Sequence, residues 1–246
     1  MIAWPYREAL RPWVYGHRGV GSGVPENTLL AFDQALAQGA DGIEFDVQLS
    51  HDGRIVVFHD VSLERMTAGH DDRRIADLSE FELCRIPLGQ GATIPNFKDV
   101  LAWADPLDVF LNIEIKPDGF NAASLLAALN GEISSYASNA VKSRLLFSSF
   151  SAKIIDLALE RRWHWPLAHL LDAGESCRFN VEQVSTCGIH AHLSLMDDVT
   201  LQHCQMRKTF INVWTVNSMH EAKRLADSAI DGIITDEPRL IRGAIG

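Results

Sequence analysis

The feature that most constrains the fold of this chain is a repeated alternation of short apolar strands and helices. Strand patterns begin near residues 13, 42, 109, 144, 166, 188, 210 and 231, and helical patterns follow them, including 178–186 and 197–205. Asn27 is expected to cap the first helix, and capping-box motifs at Ser79 and Ser218 predict two further helix starts. Strands that alternate with helices pair in parallel, because each helix carries the chain back across one face of the sheet. Eight such units can close into a (β/α)8 barrel. The sequence therefore predicts an α/β fold of the TIM-barrel type.

An open, doubly wound parallel sheet is the alternative for the same alternation. The segment 19–23 after the first strand is glycine-rich, but it lacks the Gly-x-Gly-x-x-Gly spacing of a dinucleotide-binding turn. The absence of that dinucleotide-binding motif favours the barrel over the doubly wound sheet. With 246 residues, of which 47% are hydrophobic, the chain can bury one large core. We therefore expect a single domain that covers residues 1–246.

The charge of the chain argues against a nucleic-acid partner. The chain has 22 Lys and Arg against 32 Asp and Glu, a net charge of −10, and it contains no basic run. No apolar segment reaches the ~18 residues that a membrane span requires, so stable membrane insertion is not expected. The cysteines form no Cys-x-x-Cys pair, which is typical of reduced thiols in the cytoplasm. They are Cys84, Cys177, Cys187 and Cys204.

Residues 41–60 combine titratable groups in a pattern that a packing strand does not need. Glu44 and Asp46 alternate with apolar residues along the second strand, and a period of two places both side chains on one face. Asp52 and Gly53 predict a tight turn, since glycine tolerates a positive φ. The returning strand then ends at His59. We interpret this hairpin as part of a functional site.

A third carboxylate, Glu114, lies near the end of the third barrel strand. If that strand neighbours the second, Glu44, Asp46 and Glu114 form one cluster. Three close carboxylates repel one another unless a cation lies among them, and all-oxygen ligands favour Mg²⁺ or Ca²⁺. The alternative is that one carboxylate pairs with Lys116 or Arg18 while the others face solvent. Spacing alone leaves both interpretations open.

Five further candidates end barrel strands or the hairpin arm, where the active sites of barrels lie. A lone histidine is more often packed than catalytic, but His17 and His59 beside a metal site can supply a general base and a general acid at phosphorus. Arg18 and Lys116 are candidate phosphate contacts, with charge balance for the carboxylates as the alternative. Trp214 can form a platform for an apolar or glycerol-like group, or it can pack in the core.

At these positions the chain resembles the glycerophosphodiester phosphodiesterase family. Each matching motif is weak by itself, but together they follow the family's order over residues 14–238, nearly the whole chain. They are His17-Arg-Gly19, Pro25-Glu-Asn-Thr28, Glu44-Phe-Asp46-Val47, Asp52-Gly53, His59-Asp60, Leu63-x-Arg65-x-Thr67, Glu114-Ile-Lys116, Trp214-Thr-Val-Asn217 and Asp231-Gly-Ile-Ile-Thr-Asp236. The set is highly specific.

The resemblance implies a (β/α)8 barrel with a small insertion after the second strand, here about residues 60–93. It also implies a divalent cation, Mg²⁺ or Ca²⁺. The family's site residues correspond to metal ligands Glu44, Asp46 and Glu114, acid–base histidines His17 and His59, and phosphate contacts Arg18 and Lys116.

The expected reaction is the hydrolysis of a glycerophosphodiester to sn-glycerol 3-phosphate and an alcohol. In our hypothesis the neighbouring glycerol hydroxyl attacks phosphorus, a cyclic phosphate forms, and water opens it. We assign the base to His17 and the acid to His59. The partners expected are small-molecule glycerophosphodiesters, and the protein is expected to be a monomer or a homodimer.

Two other functions are compatible with parts of the pattern. A phospholipase-D-like or phosphoinositide-cleaving barrel uses two histidines on an intact lipid, but such an enzyme should show an apolar rim or a basic membrane-facing patch. A non-catalytic barrel could bind phosphodiesters as a sensor, but it would be expected to have lost a histidine or a carboxylate. All of these residues are present here.

Overall fold

The computed structural model describes residues 11–21, 23–116, 122–173, 188–197, 199–202, 210–228 and 230–246. Its main element is a sheet of eight parallel strands. These are β1 Trp13–His17, β2 Gly42–Leu49, β6 Phe110–Ile115, β7 Leu145–Ser149, β8 Leu167–Leu171, β9 Gly188–His192, β10 Phe210–Trp214 and β11 Gly232–Thr235.

The sheet closes on itself because β1 has a parallel neighbour on each side. Tyr15 is in register with Ile234 of β11, and His17 is in register with Glu44 of β2. Between them the order runs β11, β10, β9, β8, β7, β6 and β2. The predicted (β/α)8 barrel is therefore confirmed, and the open sheet is excluded.

Helices pack around the strands by burying one apolar face each. The helix Ala152–Glu160 is an example: Ser151 caps its first turn, and Ile154, Ile155 and Ala158 are buried. The other helices include Leu29–Ala37, Phe97–Ala104, Ala122–Tyr136, Asn139–Lys142, Met219–Ala226 and Pro238–Ile245. Residues 199–202 are helical as predicted. The helix predicted over 178–186 lies outside the described residues.

The hairpin arm forms as the sequence predicted. Strand β3, Ile55–Val57, pairs antiparallel with the end of β2, and Val47 is in register with Val57. Gly53 adopts a φ of 73° in the turn, which is the left-handed conformation that glycine tolerates best. Because β3 lies beyond the end of β1 along β2, the arm returns His59 to the side of the barrel where His17 ends β1.

The segment from 60 to 93 is a small insertion with its own buried apolar cluster. It holds a 3₁₀ turn at Ile75–Asp77, a short helix at Glu80–Leu83 and a two-stranded ribbon of β4 Pro87–Gly89 and β5 Ala92–Thr93. The insertion after the second barrel strand is thus confirmed. The insertion contributes Leu63, Ile75, Leu78, Leu83, Ile86 and Leu88 to this cluster, and Val56, Phe58 and Ile94 from the flanking segments complete it.

Two local predictions about helix starts are wrong. Thr28, rather than Asn27, caps the first helix by accepting a hydrogen bond from the Ala31 amide. A capping box was also expected at Ser218, but Ser218 makes no side-chain cap hydrogen bond. Its partner in the motif, Glu221, pairs with Arg224 instead. The same motif at 79–82 does form a capping box.

Two sequence expectations concern the surroundings of the protein. In the described part of the chain, no helix combines the length and hydropathy that crossing a bilayer requires. Cys84 is a free thiol. The other three cysteines lie outside the described residues.

Candidate active site

A cavity of about 180 Å³ opens at the carboxyl ends of the barrel strands. Six of the eight candidate residues line it. The complete lining is His17, Arg18, Glu44, His59, Asn112, Glu114, Ser148, Phe150, Leu170, His190, Trp214 and Ile234. The other two candidates, Asp46 and Lys116, contact this lining directly, as described below.

The three carboxylates meet because β2 and β6 are neighbours in register. Asp46 lies opposite Glu114, while Glu44 lies opposite Asn112 one inward-facing position deeper. One oxygen from each of Glu44, Asp46 and Glu114 lies within 4.8 Å of the other two, and all three side chains are buried. The predicted cluster therefore forms.

Two cations balance part of this charge. Lys116 Nζ lies 3.0 Å from Glu114 Oε1 and 3.8 Å from Asp46 Oδ1. Arg18 Nε lies 3.3 Å from Asp46 Oδ2, and its NH1 donates to Glu26. The charge-balance role is therefore present for both cations. The solvent-facing alternative for the remaining carboxylates is wrong, because Glu44 is only 5% exposed and Asp46 is fully buried.

The electrostatics of the cluster favour a further positive charge. Burial raises the pKa of Glu44 to about 7 and that of Glu114 to about 8, and the negative charge of Asp46 adds to both shifts. Lys116 opposes the shift of Glu114 without cancelling it. These carboxyls hold protons near neutral pH, and a bound cation would displace them.

The donor atoms fit a hard divalent cation. Asp46 Oδ1 is buried and has no hydrogen-bond partner among the described residues. A buried oxygen without a hydrogen-bond donor is where a bound water or ion is expected. Three carboxylate ligands match the all-oxygen preference of Mg²⁺ and Ca²⁺, so Glu44, Asp46 and Glu114 can hold either ion.

Asn27 fixes the orientation of Asp46. Its Nδ2 donates to Asp46 Oδ2 at 2.9 Å, and its Oδ1 accepts from the Asp46 amide at 3.2 Å. Asn27 adopts a φ of 56°, a left-handed conformation that asparagine tolerates better than most residues. The residue expected to cap a helix therefore positions a carboxylate of the cluster.

His17 is oriented by a carboxylate from the last strand of the barrel. Its Nδ1 lies 2.8 Å from Asp236 Oδ1, and Asn217 Nδ2 donates to Asp236 Oδ2 at 2.6 Å. Burial lowers the pKa of His17, but the hydrogen bond with Asp236 and the charge of Glu44 outweigh burial, so the pKa is raised. With Nδ1 engaged, Nε2 is the ring nitrogen available to the cavity.

His59 has a carboxylate partner of its own. Its Nδ1 lies 2.6 Å from Oδ1 of Asp60, the next residue in the chain. Asp60 also accepts from Arg65 Nε at 2.5 Å. Both histidines thus present the same edge to the cavity, each held from behind by an acidic side chain. This pairing orients an imidazole and selects its tautomer.

Trp214, Phe150 and His190 line another part of the cavity. The Trp214 ring packs edge-on against Phe150 at 5.5 Å and His192 at 5.1 Å, while its Nε1 donates to the His190 carbonyl. Burial lowers the pKa of His190 to about 3, so this histidine is neutral near pH 7. Trp214 therefore lines the cavity and also packs against its neighbours, and its role as a platform for a substrate group stays a prediction.

Several site residues escaped the reasoning from strand ends. Asn27, Asp60 and Arg65 occur inside the family motifs, which was the only signal available for them, whereas Asp236 also follows the last barrel strand directly and carried the strand-end signal as well. Their contacts join distant parts of the chain, such as the 219 residues that separate His17 from Asp236. Asn112 carried a local signal, since it lies two residues before Glu114 and therefore faces the same way.

A comparison with protein-family models shows which family has this arrangement of residues. The model of the glycerophosphoryl diester phosphodiesterase family matches residues 17–240. The chain belongs to the glycerophosphoryl diester phosphodiesterase family. The predictions of the family, of the barrel and of an enzyme are therefore confirmed.

Members of this family resemble the chain over almost its full length. A glycerophosphodiester phosphodiesterase of Bacillus altitudinis is 30% identical over 238 residues, which cover 92% of this chain and 94% of the relative. An Oleispira antarctica phosphodiesterase, solved in complex with its product sn-glycerol-3-phosphate, matches with a TM-score of 0.86 at 28% identity, covering 97% and 98% of the two chains. A Thermotoga maritima glycerophosphodiester phosphodiesterase matches with a TM-score of 0.77 at 31% identity, covering 94% and 97%.

Proposed function

We propose that this protein hydrolyses glycerophosphodiesters to sn-glycerol 3-phosphate and an alcohol, using a divalent cation and two histidines. The observation that carries this proposal is the composition of one cavity. Two histidines, each held through Nδ1 by a carboxylate, line it beside a buried cluster of three acidic residues. Family membership and the product bound to the Oleispira antarctica relative support the choice of substrate.

The cluster of Glu44, Asp46 and Glu114 would hold the cation, either Mg²⁺ or Ca²⁺. When bound, such an ion neutralises phosphate charge and makes a nearby hydroxyl more acidic. Arg18 and Lys116 are both adjacent to this cluster and would stabilise charge on the phosphoryl oxygens.

The histidines would move the protons of a two-step displacement. His17 removes the proton of the neighbouring glycerol hydroxyl, whose oxygen attacks phosphorus to form a cyclic phosphate. His59 protonates the departing alkoxide, which leaves as the alcohol. In the second step His59 takes a proton from water, the water oxygen opens the ring, and His17 returns a proton to the glycerol oxygen. We assign the base to His17 because it lies directly opposite Glu44 in the sheet, on the metal side of the cavity.

Trp214 and Phe150 would contact one of the organic arms of the substrate, since both rings line the cavity and pack against each other. A single domain over residues 1–246, a cytoplasmic location and a monomeric or homodimeric state stay predictions from the sequence.

Incubation of the purified protein with glycerophosphocholine tests the proposal. We expect release of sn-glycerol 3-phosphate and choline in Mg²⁺ or Ca²⁺, and loss of activity after exhaustive chelation. Phosphatidylcholine and phosphatidylinositol vesicles serve as parallel substrates. Cleavage of the intact lipids alone would favour the lipid-cleaving alternative, and binding without turnover of any of these compounds would favour a sensor.

Asp236 is predicted to be a positioning residue for His17. We expect Asp236→Asn to lower kcat by at least tenfold, and by at most about the 10⁴-fold that loss of the orienting Asp costs a Ser-His-Asp triad. Because Asp236 opposes the effect of burial on His17, the pKa of His17 should fall in the variant. The limb of the pH–rate profile that belongs to His17 should therefore move to lower pH.

A matched control is Asp105→Asn, which changes an exposed residue at the end of a helix. This variant should leave both kcat and the pH profile unchanged. An Asp236→Asn enzyme with a wild-type profile would show that the contact between Asp236 and His17 has no part in the reaction.

A further inference from the structure

The motif Leu63-x-Arg65-x-Thr67 lies in the insertion, outside the cavity wall, and the proposed reaction gives it no role. Its arginine, Arg65, nevertheless donates hydrogen bonds to two acidic residues, Asp60 and Glu26, and each of these contacts a residue that lines the cavity. We propose that Arg65 is a positioning residue that holds His59 and Arg18 in a common geometry through Asp60 and Glu26. This inference rests on the proposed function, since it concerns groups assigned to catalysis there.

The contacts of Arg65 use its guanidinium as a fork between two acidic residues. Nε donates to Asp60 Oδ2 at 2.5 Å. NH2 donates to Glu26 Oε1 at 2.6 Å, and NH1 donates to Glu26 Oε2 at 3.0 Å. Arginine can hold two carboxylates in this way because its donors lie in one plane with fixed directions.

Each of these two carboxylates also contacts a side chain that lines the cavity. Asp60 uses its other oxygen, Oδ1, to hold His59 Nδ1 at 2.6 Å. Glu26 Oε1 accepts from Arg18 NH1 at 2.9 Å, and Arg18 in turn lies 3.3 Å from Asp46. A continuous chain of charged contacts therefore joins His59 on the hairpin arm to Asp46 of the carboxylate cluster, and Arg65 lies at its centre.

The fold of the motif explains how Arg65 is presented. Leu63 is fully buried in the apolar cluster of the insertion. Thr67 closes a turn over it: its hydroxyl donates to the Leu63 carbonyl at 3.0 Å and accepts from the Asp71 amide at 3.0 Å. Two anchored residues thus fix the backbone on both sides of Arg65, whose side chain extends outward to the two carboxylates.

An isolated exposed ion pair would not support such a role, since pairs of this kind contribute little to stability. Arg65 is 49% exposed, but its partners are more enclosed, with Asp60 at 23% and Glu26 at 24%. Burial alone would raise the pKa of both carboxyls, but Arg65 together with Arg18 beside Glu26 and His59 beside Asp60 outweighs burial, so the pKa of each is lowered and both remain ionised at neutral pH. Without Arg65, these two anions would face each other across the gap that it now fills.

The two arms of the fork make separable predictions. The arm through Asp60 orients His59, which is assigned to proton transfer, so it should act on kcat. The arm through Glu26 orients Arg18, which is assigned to phosphate contact, so it should act on KM. A purely structural role for Arg65 would not divide its effects in this way.

The test is steady-state kinetics with glycerophosphocholine on Arg65→Gln, Asp60→Asn and Glu26→Gln. Misplacement of a reacting group by about 1 Å can cost about 10²-fold, so we expect Arg65→Gln to lower kcat about 10- to 100-fold and to raise KM several-fold. Asp60→Asn should reproduce the loss in kcat, and Glu26→Gln the rise in KM. In the Asp60→Asn background, Arg65→Gln should lower kcat little further, because the two residues act in series.

Arg73→Gln is the matched control. Arg73 lies in the same insertion, is 52% exposed and makes a forked contact to a single carboxylate, Asp71. It has no contact to the cavity in the described part of the chain, so kcat and KM should equal those of the wild type. An equal loss in Arg73→Gln would assign the effect to the insertion as a whole and would overturn the proposal.

Arg65→Lys covers the case in which the glutamine variant does not fold by circular dichroism. Lysine keeps the charge but cannot form the fork, so it should retain intermediate activity. Wild-type kinetics in a folded Arg65→Gln or in Arg65→Lys would contradict the positioning role. An inactive wild-type enzyme would instead remove the proposed function, and with it this inference.

Discussion

Replacement of His59 by alanine is expected to lower the turnover of glycerophosphocholine about 10²- to 10⁴-fold, which is the usual contribution of one acid–base group. His59 lines the cavity, and Asp60 holds its Nδ1 so that Nε2 is available. If His59 is the general acid, its replacement should slow turnover only for substrates whose departing alkoxide must be protonated. The defect should therefore shrink for a glycerol phosphodiester whose alcohol is p-nitrophenol, because that leaving group is stable as an anion.

His17→Ala should behave differently with the same pair of substrates. The base acts on the glycerol hydroxyl, which both substrates share, so the loss should be similar for both. Initial rates of the two variants on the two substrates measure this contrast directly. A leaving-group effect in His17→Ala but not in His59→Ala would reverse the assignment of base and acid.

His51→Ala provides the control for both variants. His51 lies on the same hairpin, in the exposed turn between β2 and β3, and its backbone amide donates to the Leu78 carbonyl. Alanine preserves that backbone contact, so we expect wild-type turnover. Near-normal activity in His17→Ala or His59→Ala would refute the two-histidine mechanism.

Replacement of Glu114 by glutamine is expected to weaken binding of Mg²⁺ and Ca²⁺ by at least about tenfold and to abolish most of the metal-dependent activity. Glutamine keeps the shape of the side chain but removes one of three charges that lie within 4.8 Å of one another. Isothermal titration calorimetry on protein stripped by chelation measures the affinity independently of turnover. Unchanged affinity in this variant would exclude Glu114 as a ligand.

Metal affinity should also depend on pH in a defined direction. Glu44 and Glu114 have pKa values raised to about 7 and about 8 in the metal-free protein. Both are ionised well above pH 8, and each gains a proton as the pH falls through its pKa. Each proton that the ion must displace weakens apparent binding by up to about tenfold per pH unit, so affinity should fall between pH 8 and pH 6. In Glu114→Gln this slope should be shallower.

Glu132→Gln is the control for burial of a carboxyl. Glu132 is 5% exposed, and its Oε1 accepts a hydrogen bond from the Ile55 amide, which the glutamine carbonyl can also accept. Metal affinity should not change in this variant. A loss equal to that of Glu114→Gln would indicate a general effect of removing buried charge.

Local periodicity was sufficient to predict the main architecture and the core of the site. A strand pattern depends only on neighbouring residues, so the eight strands, the hairpin arm and the common face of Glu44 and Asp46 could be read directly. Parallel strand ends meet at one edge of a barrel, which also predicted that Glu114 and His17 would join them. The family motifs then indicated which reaction to expect, the hydrolysis of a glycerophosphodiester.

Local patterns gave wrong predictions where a side chain can either cap a helix or form a hydrogen bond or ion pair with another side chain. Asn27 has the chemistry of a helix cap, but its amide instead holds Asp46, and Thr28 caps the helix. Glu221 completes a capping-box motif, but Arg224 binds its carboxylate. In both cases a contact that the motif does not encode is the one formed.

The sequence by itself therefore determined the order of strands and helices, the residue types at the strand ends and the family. Only the tertiary structure decided which carboxylate holds which histidine, and that Arg65 links His59 to Arg18. The physical reason is that these contacts depend on barrel closure and on the path of the insertion. Closure brings Asp236 to His17, and the insertion brings Arg65 to Glu26, over separations at which sequence spacing carries no information about distance.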